Sequence, residues 1–295
     1  MNLHLLINIS SDTENLFGVQ FFNSFFQECS HCNVTLFHIC RLDSPDASNS
    51  LLDMWENPED RIEGKLTVDA KKALDKAKRA LKKQDVVINN IKTKTVEERY
   101  GKVKDILSES SKGLYDAIIL GRRATYALQW MFDKPSDEIP QALINDTSLS
   151  SPLWICSEPE IGRKNILLCV DGSASSLRAA DHVGYILSKA KRHNVTVFHV
   201  TTTRTSNIQE ILKEATDVLL SHNIAPERIT SKRGWGLSIP GAILTEKNYG
   251  QYAAVAVGLH DDGPSKGVFD RLGIQGGITA TLVKKIEKAA LWCCP

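Results

Sequence analysis

The side chains best suited to ligand chemistry in this 295-residue sequence follow an apolar run that is typical of a buried strand. Asp171, Gly172 and Ser173 come directly after the run Ile166–Val170. A carboxylate at a strand end accepts hydrogen bonds from a sugar hydroxyl or a base amine, the glycine permits a tight turn, and the serine can cap a helix. The residues alone leave open the alternative that Asp171 is a turn or capping residue.

A second candidate segment is the glycine-rich stretch 258–277. Glycines let backbone N–H groups approach phosphate oxygens, and a helix predicted to begin around Ile278 would direct its N-terminal dipole at an anion. Asp261 and Asp262 would repel a phosphate, so a surface loop is the alternative interpretation. The glycines of the stretch are Gly258, Gly263, Gly267, Gly273, Gly276 and Gly277.

An internal repeat indicates which elements hold these segments. Asn33–Ile39 matches Asn194–Val200 at an offset of 161 residues, and Tyr115–Gly121 matches Tyr252–Gly258 at an offset of 137. The first half therefore carries about 24 extra residues, and the stretch 43–64, rich in Ser, Pro, Asp and Asn, is the predicted insertion. We predict two domains, residues 1–158 and 163–295, joined by a short polar linker.

The apolar runs of each half are short and continuous, and helical patterns separate them. Continuous apolar runs are typical of strands that helices cover on both faces of a parallel sheet. The sequence therefore predicts an α/β fold with two tandem doubly wound domains, each with a five-stranded parallel sheet flanked by helices. Ligands of such sheets bind beyond the carboxyl ends of the strands, which would bring Asp171, Val200 and Gly258 to one edge.

These residues resemble the universal stress protein family. The resemblance rests on a first strand followed by Asp171-Gly172-Ser173, a second strand ending in Phe-His-Val and a fourth strand ending in glycine. It spans both halves and implies a cytoplasmic stress-response protein, often dimeric, of a family in which some members bind ATP. Carried onto this sequence, the ATP-binding pattern implies these cofactor-binding residues: Asp171, Gly172, Val200, Gly258, Gly263, Gly273, Gly276 and Gly277.

The sequence departs from the family's pattern at defined places. Ile274 follows Gly273 where the pattern has a hydroxyl residue, and Ser10 stands in the first half where the second has Asp171. The resemblance therefore implies ATP or another adenine nucleotide in the second half and a degenerate first half. A binding protein is the first interpretation. The alternatives are an enzyme that hydrolyses ATP or transfers an adenylyl group, and an interaction scaffold without a ligand.

Two tryptophans at equivalent positions of the last predicted strands suggest how the halves associate. Trp154 and Trp292 would let these edge strands pair the two halves with each other, and a homodimer is a further expectation. His38 and His199, also equivalent, are interpreted as packed strand residues. No catalytic residue is predicted.

Composition excludes several classes of partner. The chain has 36 basic and 35 acidic residues, which gives no overall attraction to nucleic acid or to an anionic membrane. No apolar stretch is long enough for a membrane helix and no signal peptide is evident, so a cytoplasmic location is expected. The pair Cys29 and Cys32 lacks the second ligand pair of a structural metal site, and the seven scattered cysteines are expected to be reduced.

Overall fold

The protein is described by a computed structural model that covers residues 2–11, 14–27, 32–40, 66–82, 88–122, 138–146, 148–201, 207–259 and 277–295. The predicted insertion at 43–64, Cys29 and most of the glycine-rich stretch lie outside these ranges. Within them, the apolar run Ile166–Val170 corresponds to a strand over Lys164–Cys169, and the helix predicted to begin around Ile278 covers Ile278–Lys285.

The strands in chain order are β1 (Leu3–Asn8), β2 (Cys32–Cys40), β3 (Ile88–Glu97), β4 (Ala117–Gly121), β5 (Leu153–Cys156), β6 (Lys164–Cys169), β7 (Val195–Val200), β8 (Ile229–Gly234), β9 (Tyr252–Gly258) and β10 (Ala290–Cys294). The helices are α1 (Phe17–Phe25), α2 (Val68–Lys82), α3 (Lys102–Gly113), α4 (Glu138–Asn145), α5 (Ala174–Lys189), α6 (Ile208–Ser221), α7 (Ile239–Gly250) and α8 (Ile278–Lys285).

All ten strands form one sheet, in the order β3-β2-β1-β4-β5-β10-β9-β6-β7-β8. Neighbouring strands run parallel except β5 and β10, which pair antiparallel. The five strands of each half are therefore parts of one continuous ten-stranded sheet. Each half contributes five strands in the same order, and the backbone groups that would be unpaired at the β5 and β10 edges bond to each other instead.

The seam between the halves is aromatic. Trp154 and Trp292 are partners in the β5–β10 register, and their rings stack at 4.1 Å with an angle of 6°. Both side chains are fully buried, and the ring of Phe21 meets each of them edge-on. Burial of two indoles together removes a large apolar surface from water at the junction of the halves.

The duplication extends to a buried polar network at the start of the fourth strand of each half. Tyr115 donates its hydroxyl to Glu109 Oε1 at 2.8 Å, and Lys94 Nζ lies 2.7 Å from Glu109 Oε2. In the second half, Tyr252 donates its hydroxyl to Glu246 Oε1 at 3.0 Å. Lys232 Nζ lies 2.7 Å from the same oxygen.

The cysteines only partly follow the expectation of reduced thiols. Cys32, buried at the start of β2, is disulfide-bonded, which corrects that expectation for this residue. Five others have free thiols: Cys40, Cys156, Cys169, Cys293 and Cys294. Burial raises the pKa of the Cys156 thiol far above its ordinary value, so this group stays protonated.

Among the described residues, no helix combines the length and the apolarity that crossing a membrane requires.

Candidate functional site

The turn after β6 is built by Asp171, Gly172 and Ser173. Ser173 is the N-cap of α5, and its hydroxyl oxygen accepts a hydrogen bond from the backbone N–H of Ser176 at 3.2 Å. Asp171 Oδ1 in turn accepts from the backbone N–H of Ser173 at 3.0 Å and from the Ser173 hydroxyl. Asp171 therefore supports the turn, as the alternative interpretation proposed, while its exposed side chain also borders a cleft.

Gly172 is required by two features of this turn. Its φ of +85° lies in the left-handed region that favours glycine. A Cβ at this position would also lie 2.9 Å from Cγ1 of Ile211 on α6. The glycine thus allows β6 to turn sharply into α5 while α6 packs against the turn.

Gly258, at the end of β9, brings the fourth strand of the second half against the start of α5. A Cβ on Gly258 would lie 2.4 Å from the carbonyl carbon of Ser175, closer than side chains tolerate. The absence of a side chain therefore lets the strand end approach the first turn of the helix. As a result, the turn after β6 and the end of β9 lie side by side, as the parallel topology predicts.

A cleft of about 180 Å³ opens where these two segments and the end of β7 meet. Val200, Ile243 and Val257 form an apolar wall, whereas Asp171, Ser173 and Ser175 supply polar groups. The first residues of α8, Ile278 and Thr279, border the same cleft. The combination of a flat apolar wall, hydroxyl and carboxylate groups and a helix N-terminus suits a ligand with an aromatic base, a sugar and an anion.

The predicted site residues divide into two groups. The structure places Asp171, Val200 and Gly258 on the lining of the cleft, and Gly172 lies between two lining residues. Gly277 is the N-cap of α8, with open space around the position of a Cβ. The remaining predicted glycines lie outside the described residues, so their role stays a prediction: Gly263, Gly273 and Gly276.

Most of the residues that line the cleft were not predicted as site residues, and two of these have titratable side chains. Cys169, at the end of β6, borders the cleft. Burial raises the pKa of its thiol far above the ordinary value, so the thiol stays protonated. His199, interpreted from the sequence as a packed strand residue, is indeed buried, with 4% of its surface exposed, but it also lines the cleft. The feature of the sequence that could have identified His199 as a lining residue is its position next to Val200, one residue before the end of β7.

The equivalent place in the first half is much smaller. A hollow of about 40 Å³ lies between the end of β1 and the start of α1, bordered by Ser10, Asn15 and Gly121. Ser10 occupies the position of Asp171, so the carboxylate is missing at that position. The loop after Arg122 lies outside the described residues.

Comparison with known proteins gives matches among solved structures. No protein-family model and no curated protein matches the sequence. A universal stress protein from Archaeoglobus fulgidus is similar with a TM-score of 0.69 and 14% identity, over 99% of this chain and 97% of that one. A protein of unknown function from Pseudomonas aeruginosa has a TM-score of 0.51 and 16% identity, over 99% and 92% of the two chains.

A universal stress protein in complex with cAMP is similar over 45% of this chain and 96% of that one, with 20% identity. Its TM-score of 0.36 is too low for the likeness to bear on the ligand of this cleft. The agreement over nearly the whole chain with the Archaeoglobus protein concerns the fold, in which one mostly parallel sheet is flanked by helices. The structural neighbours of this chain are universal stress proteins, and the chain has the universal stress protein fold.

Proposed function

We propose that this chain is a stress-response binding protein of the universal stress type and that its second half binds ATP or another adenine nucleotide in the cleft between Asp171, Val200 and Gly258. The observation that carries the proposal is the close approach of Gly258 to Ser175, which sets a carboxylate, an apolar wall and the start of α8 around one space. The base would pack on the apolar wall, and the ribose hydroxyls would donate to Asp171.

The start of α8 and the glycines that precede it would bind the phosphates. Among the described residues, no side chain caps the N-terminus of α8 at Gly277, and none has an atom within 4 Å of a Cβ position there. Exposed N–H groups at a helix start favour anions through both hydrogen bonds and the helix dipole.

The wider functional picture is part of the same proposal. The domains 1–158 and 163–295 would be a degenerate and a ligand-binding unit that associate through the β5–β10 seam, with a homodimer as a further level of assembly. A cytoplasmic location is part of the proposal, and the five free thiols described above suit it, whereas the disulfide at Cys32 does not.

The test is a calorimetric titration of ATP, ADP and AMP into the whole protein. We expect saturable binding that Asp171→Asn weakens about ten-fold. Asparagine keeps an oxygen that can accept from Ser173, so the turn survives while the second carboxylate oxygen and the charge are lost. Ser10→Ala, at the equivalent place of the first half, is the matched control and should leave binding unchanged.

Three outcomes would contradict the proposal in different ways. If none of the three nucleotides binds, the proposed nucleotide binding is wrong and an interaction scaffold is favoured. If Asp171→Asn binds the nucleotide as tightly as the unmodified protein, Asp171 supports the turn but does not bind the ligand. Steady release of phosphate or pyrophosphate from ATP by the unmodified protein would favour an enzyme.

A further inference from the structure

A second cavity, the seam cavity, lies between the two halves and apart from the candidate cleft. Its volume is about 440 Å³. One wall is the face of α5 that carries Arg178, His182 and Tyr185, and residues that precede β4 and β5, among them Asp116 and Ser151, form another. None of these five residues lines the candidate cleft. Spaces between domains are common sites for small ligands, so the chemistry of this lining indicates what it could bind.

Three polar residues of the seam cavity stand where the internal repeat has apolar ones. The pairs, at offsets of 161, 161 and 137, are Arg178 with Phe17, His182 with Phe21, and Asp116 with Ala253. The three apolar counterparts are buried in the core. The shared fold of the two halves therefore does not require polar groups at these positions, and yet all three polar groups border one space.

His182 presents an N–H group to this space. Its Nε2 accepts the indole N–H of Trp154 at 3.0 Å, and an indole nitrogen can only donate. Because burial lowers the pKa of His182 to about 3, the ring is neutral at pH 7 and carries its proton on Nδ1. The side chain is 8% exposed and borders the cavity. Nδ1 is not sealed off from solvent and has no hydrogen-bond partner among the described residues, so it can donate to a ligand.

A charged donor, Arg178, lies one turn before His182 on the same face of α5. Its Nε donates to the carbonyl oxygen of Pro295 at 2.6 Å, which holds the guanidinium beside the seam cavity. A guanidinium has four further N–H groups. A charged donor and a neutral donor side by side suit a carboxylate group of a ligand.

The other side of the seam cavity carries a carboxylate, that of Asp116. Its Oδ2 accepts the backbone N–H of His4 at 2.7 Å, which fixes the side chain. Burial, together with this neighbouring carboxylate, raises the pKa of the Tyr185 hydroxyl to about 12, so Asp116 faces the α5 wall. Asp181 also borders the cavity, but its Oδ1 pairs with His222 at 2.8 Å. A carboxylate beside a tyrosine ring suits an ammonium group.

The sheet register sets the distance between these two sides. Leu153 of β5 pairs with Ile118 of β4 and with Cys293 of β10. Two residues further out, the same register places Asp116 and Pro295 in one row, with β5 between them. Two strand spacings separate their backbones by roughly 10 Å. Because Arg178 is bonded to Pro295, the carboxylate and the ammonium of a ligand must be separated by several methylene groups.

We infer that the seam cavity binds a small amino-carboxylate whose charged ends are joined by several methylene groups. Arg178 and Nδ1 of His182 bind its carboxylate, and Asp116 binds its ammonium. Both halves of the chain contribute to this site, and it is independent of the proposed nucleotide cleft.

The experiment is an NMR titration of three probes of equal chain length into the whole ¹⁵N-labelled protein. 6-Aminohexanoate carries both charged groups, hexanoate lacks the ammonium, and hexylamine lacks the carboxylate. We expect saturable shifts of α5 amides with 6-aminohexanoate and at least about ten-fold weaker binding of the other two, since each loses a charged hydrogen-bonding group. Absence of saturable shifts with 6-aminohexanoate, or equal binding of all three probes, would overturn the inference.

Two variants test the assigned residues. Asp116→Asn keeps an oxygen for the N–H of His4 but loses the charge, and Arg178→Met loses the guanidinium. Each should weaken binding of 6-aminohexanoate about ten-fold. Asp217→Asn and Arg79→Met, at exposed positions on other helices, are the matched controls and should leave binding unchanged.

Unchanged affinity in both Asp116→Asn and Arg178→Met would contradict the assignment of the site. Asp171→Asn should bind 6-aminohexanoate as the unmodified protein does. A loss of binding in Asp171→Asn would place the probe in the nucleotide cleft and overturn the inference. Nucleotide titrations report on the cleft alone, so failure of the proposed function and failure of this inference are distinguished.

Discussion

Trp154 donates its indole N–H to Nε2 of His182 at 3.0 Å, and both groups are buried. The equivalent indole nitrogen of the second half, that of Trp292, has no hydrogen-bond partner among the described residues. The reason is a single difference in the repeat, because the offset of 161 places Phe21 where the second half has His182. The two halves are thus alike in packing at the seam but unlike in polar bonding.

Replacement of His182 by phenylalanine should destabilise the protein. His182→Phe gives the second half the ring that the first half has at Phe21, but it leaves the Trp154 N–H buried without an acceptor. We expect the free energy of unfolding at pH 7 to fall by about 1–3 kcal/mol. Urea unfolding followed by tryptophan fluorescence measures this change.

His222→Gln is a suitable control for the loss of a histidine, because His222 pairs with the exposed Asp181 at 2.8 Å. Such a partly exposed pair contributes about 0–1 kcal/mol. A His182→Phe protein as stable as the unmodified one would show that the bond between Trp154 and His182 contributes nothing to folding.

Two buried histidines should make the protein sensitive to mild acid. Burial lowers the pKa of His182 from 6.5 to about 3. Burial also lowers the pKa of His193 to about 4, although its contact with the carbonyl oxygen of Phe25 opposes this. Between about pH 4 and 6.5 the unfolded chain therefore binds more protons than the native one, so stability is full above pH 6.5 and falls as the pH decreases.

Between pH 7 and pH 5, each histidine should contribute about 2 kcal/mol to this loss of stability. The His182 share is isolated by comparing the stability of His182→Phe and of the unmodified protein at both pH values. The difference between them should shrink by about that amount at pH 5. An equal pH dependence in the two proteins would mean that His182 is not held neutral in the native state.

Gly258 and Gly121 occupy equivalent places but should respond differently to alanine. A Cβ on Gly258 meets the backbone of Ser175 at 2.4 Å, whereas the nearest atom to a Cβ on Gly121 is the carbonyl oxygen of Asn15 at 3.6 Å. We expect Gly258→Ala to cost about 1–3 kcal/mol of stability and to weaken nucleotide binding, since β9 and α5 must separate. Gly121→Ala should stay within about 0.5 kcal/mol.

Thermal unfolding of the two alanine variants, with and without AMP, checks this expectation. The comparison is internally controlled, because the same substitution is made at the end of the fourth strand in both halves. If both variants lose the same stability, the close approach of β9 to α5 is not what requires a glycine at position 258.

The fold class and the sheet edge that carries the candidate cleft were largely predictable from the sequence. Continuous apolar runs such as Ile166–Val170 indicate a parallel sheet, and in such a sheet the ends of the first, second and fourth strands share one edge. That rule alone predicted the meeting of Asp171, Val200 and Gly258. The apolar stripe of α2 was visible as well, and its residues are buried as a helical period requires: Ala70, Ala73, Leu74, Ala77 and Leu81.

Other features depend on contacts that periodicity does not encode. The pairing of the last strands of the two halves was an expectation from Trp154 and Trp292, but its antiparallel direction was not, because that depends on the geometry of the seam. The network of Tyr115 with Glu109 was detectable in principle, since Glu109 and Glu246 share the offset of 137. The contact of His199 Nδ1 with the carbonyl oxygen of Val170, at 2.8 Å, could not be predicted, because periodicity does not give the orientation of a side chain.

Arg122 links the first half to the helix that borders the cleft of the second. It follows β4, is 1% exposed, and donates to the carbonyl oxygens of Lys284 and Ile286, at the end of α8, at 2.9 and 3.2 Å. A cation at a helix C-terminus satisfies carbonyls that have no partner within the helix and complements the helix dipole. The opposite end of α8, at Ile278, borders the cleft.

Arg122→Met should therefore reduce stability and weaken ligand binding together. Methionine keeps much of the apolar stem but leaves the two carbonyl oxygens without the guanidinium, at a cost of about 2–3 kcal/mol. Arg79→Met is the control, because Arg79 is exposed and donates to a carbonyl oxygen of its own helix. Hydrogen exchange should become faster along α8 in Arg122→Met alone, and equal exchange in both variants would show that Arg122 does not hold this helix in place.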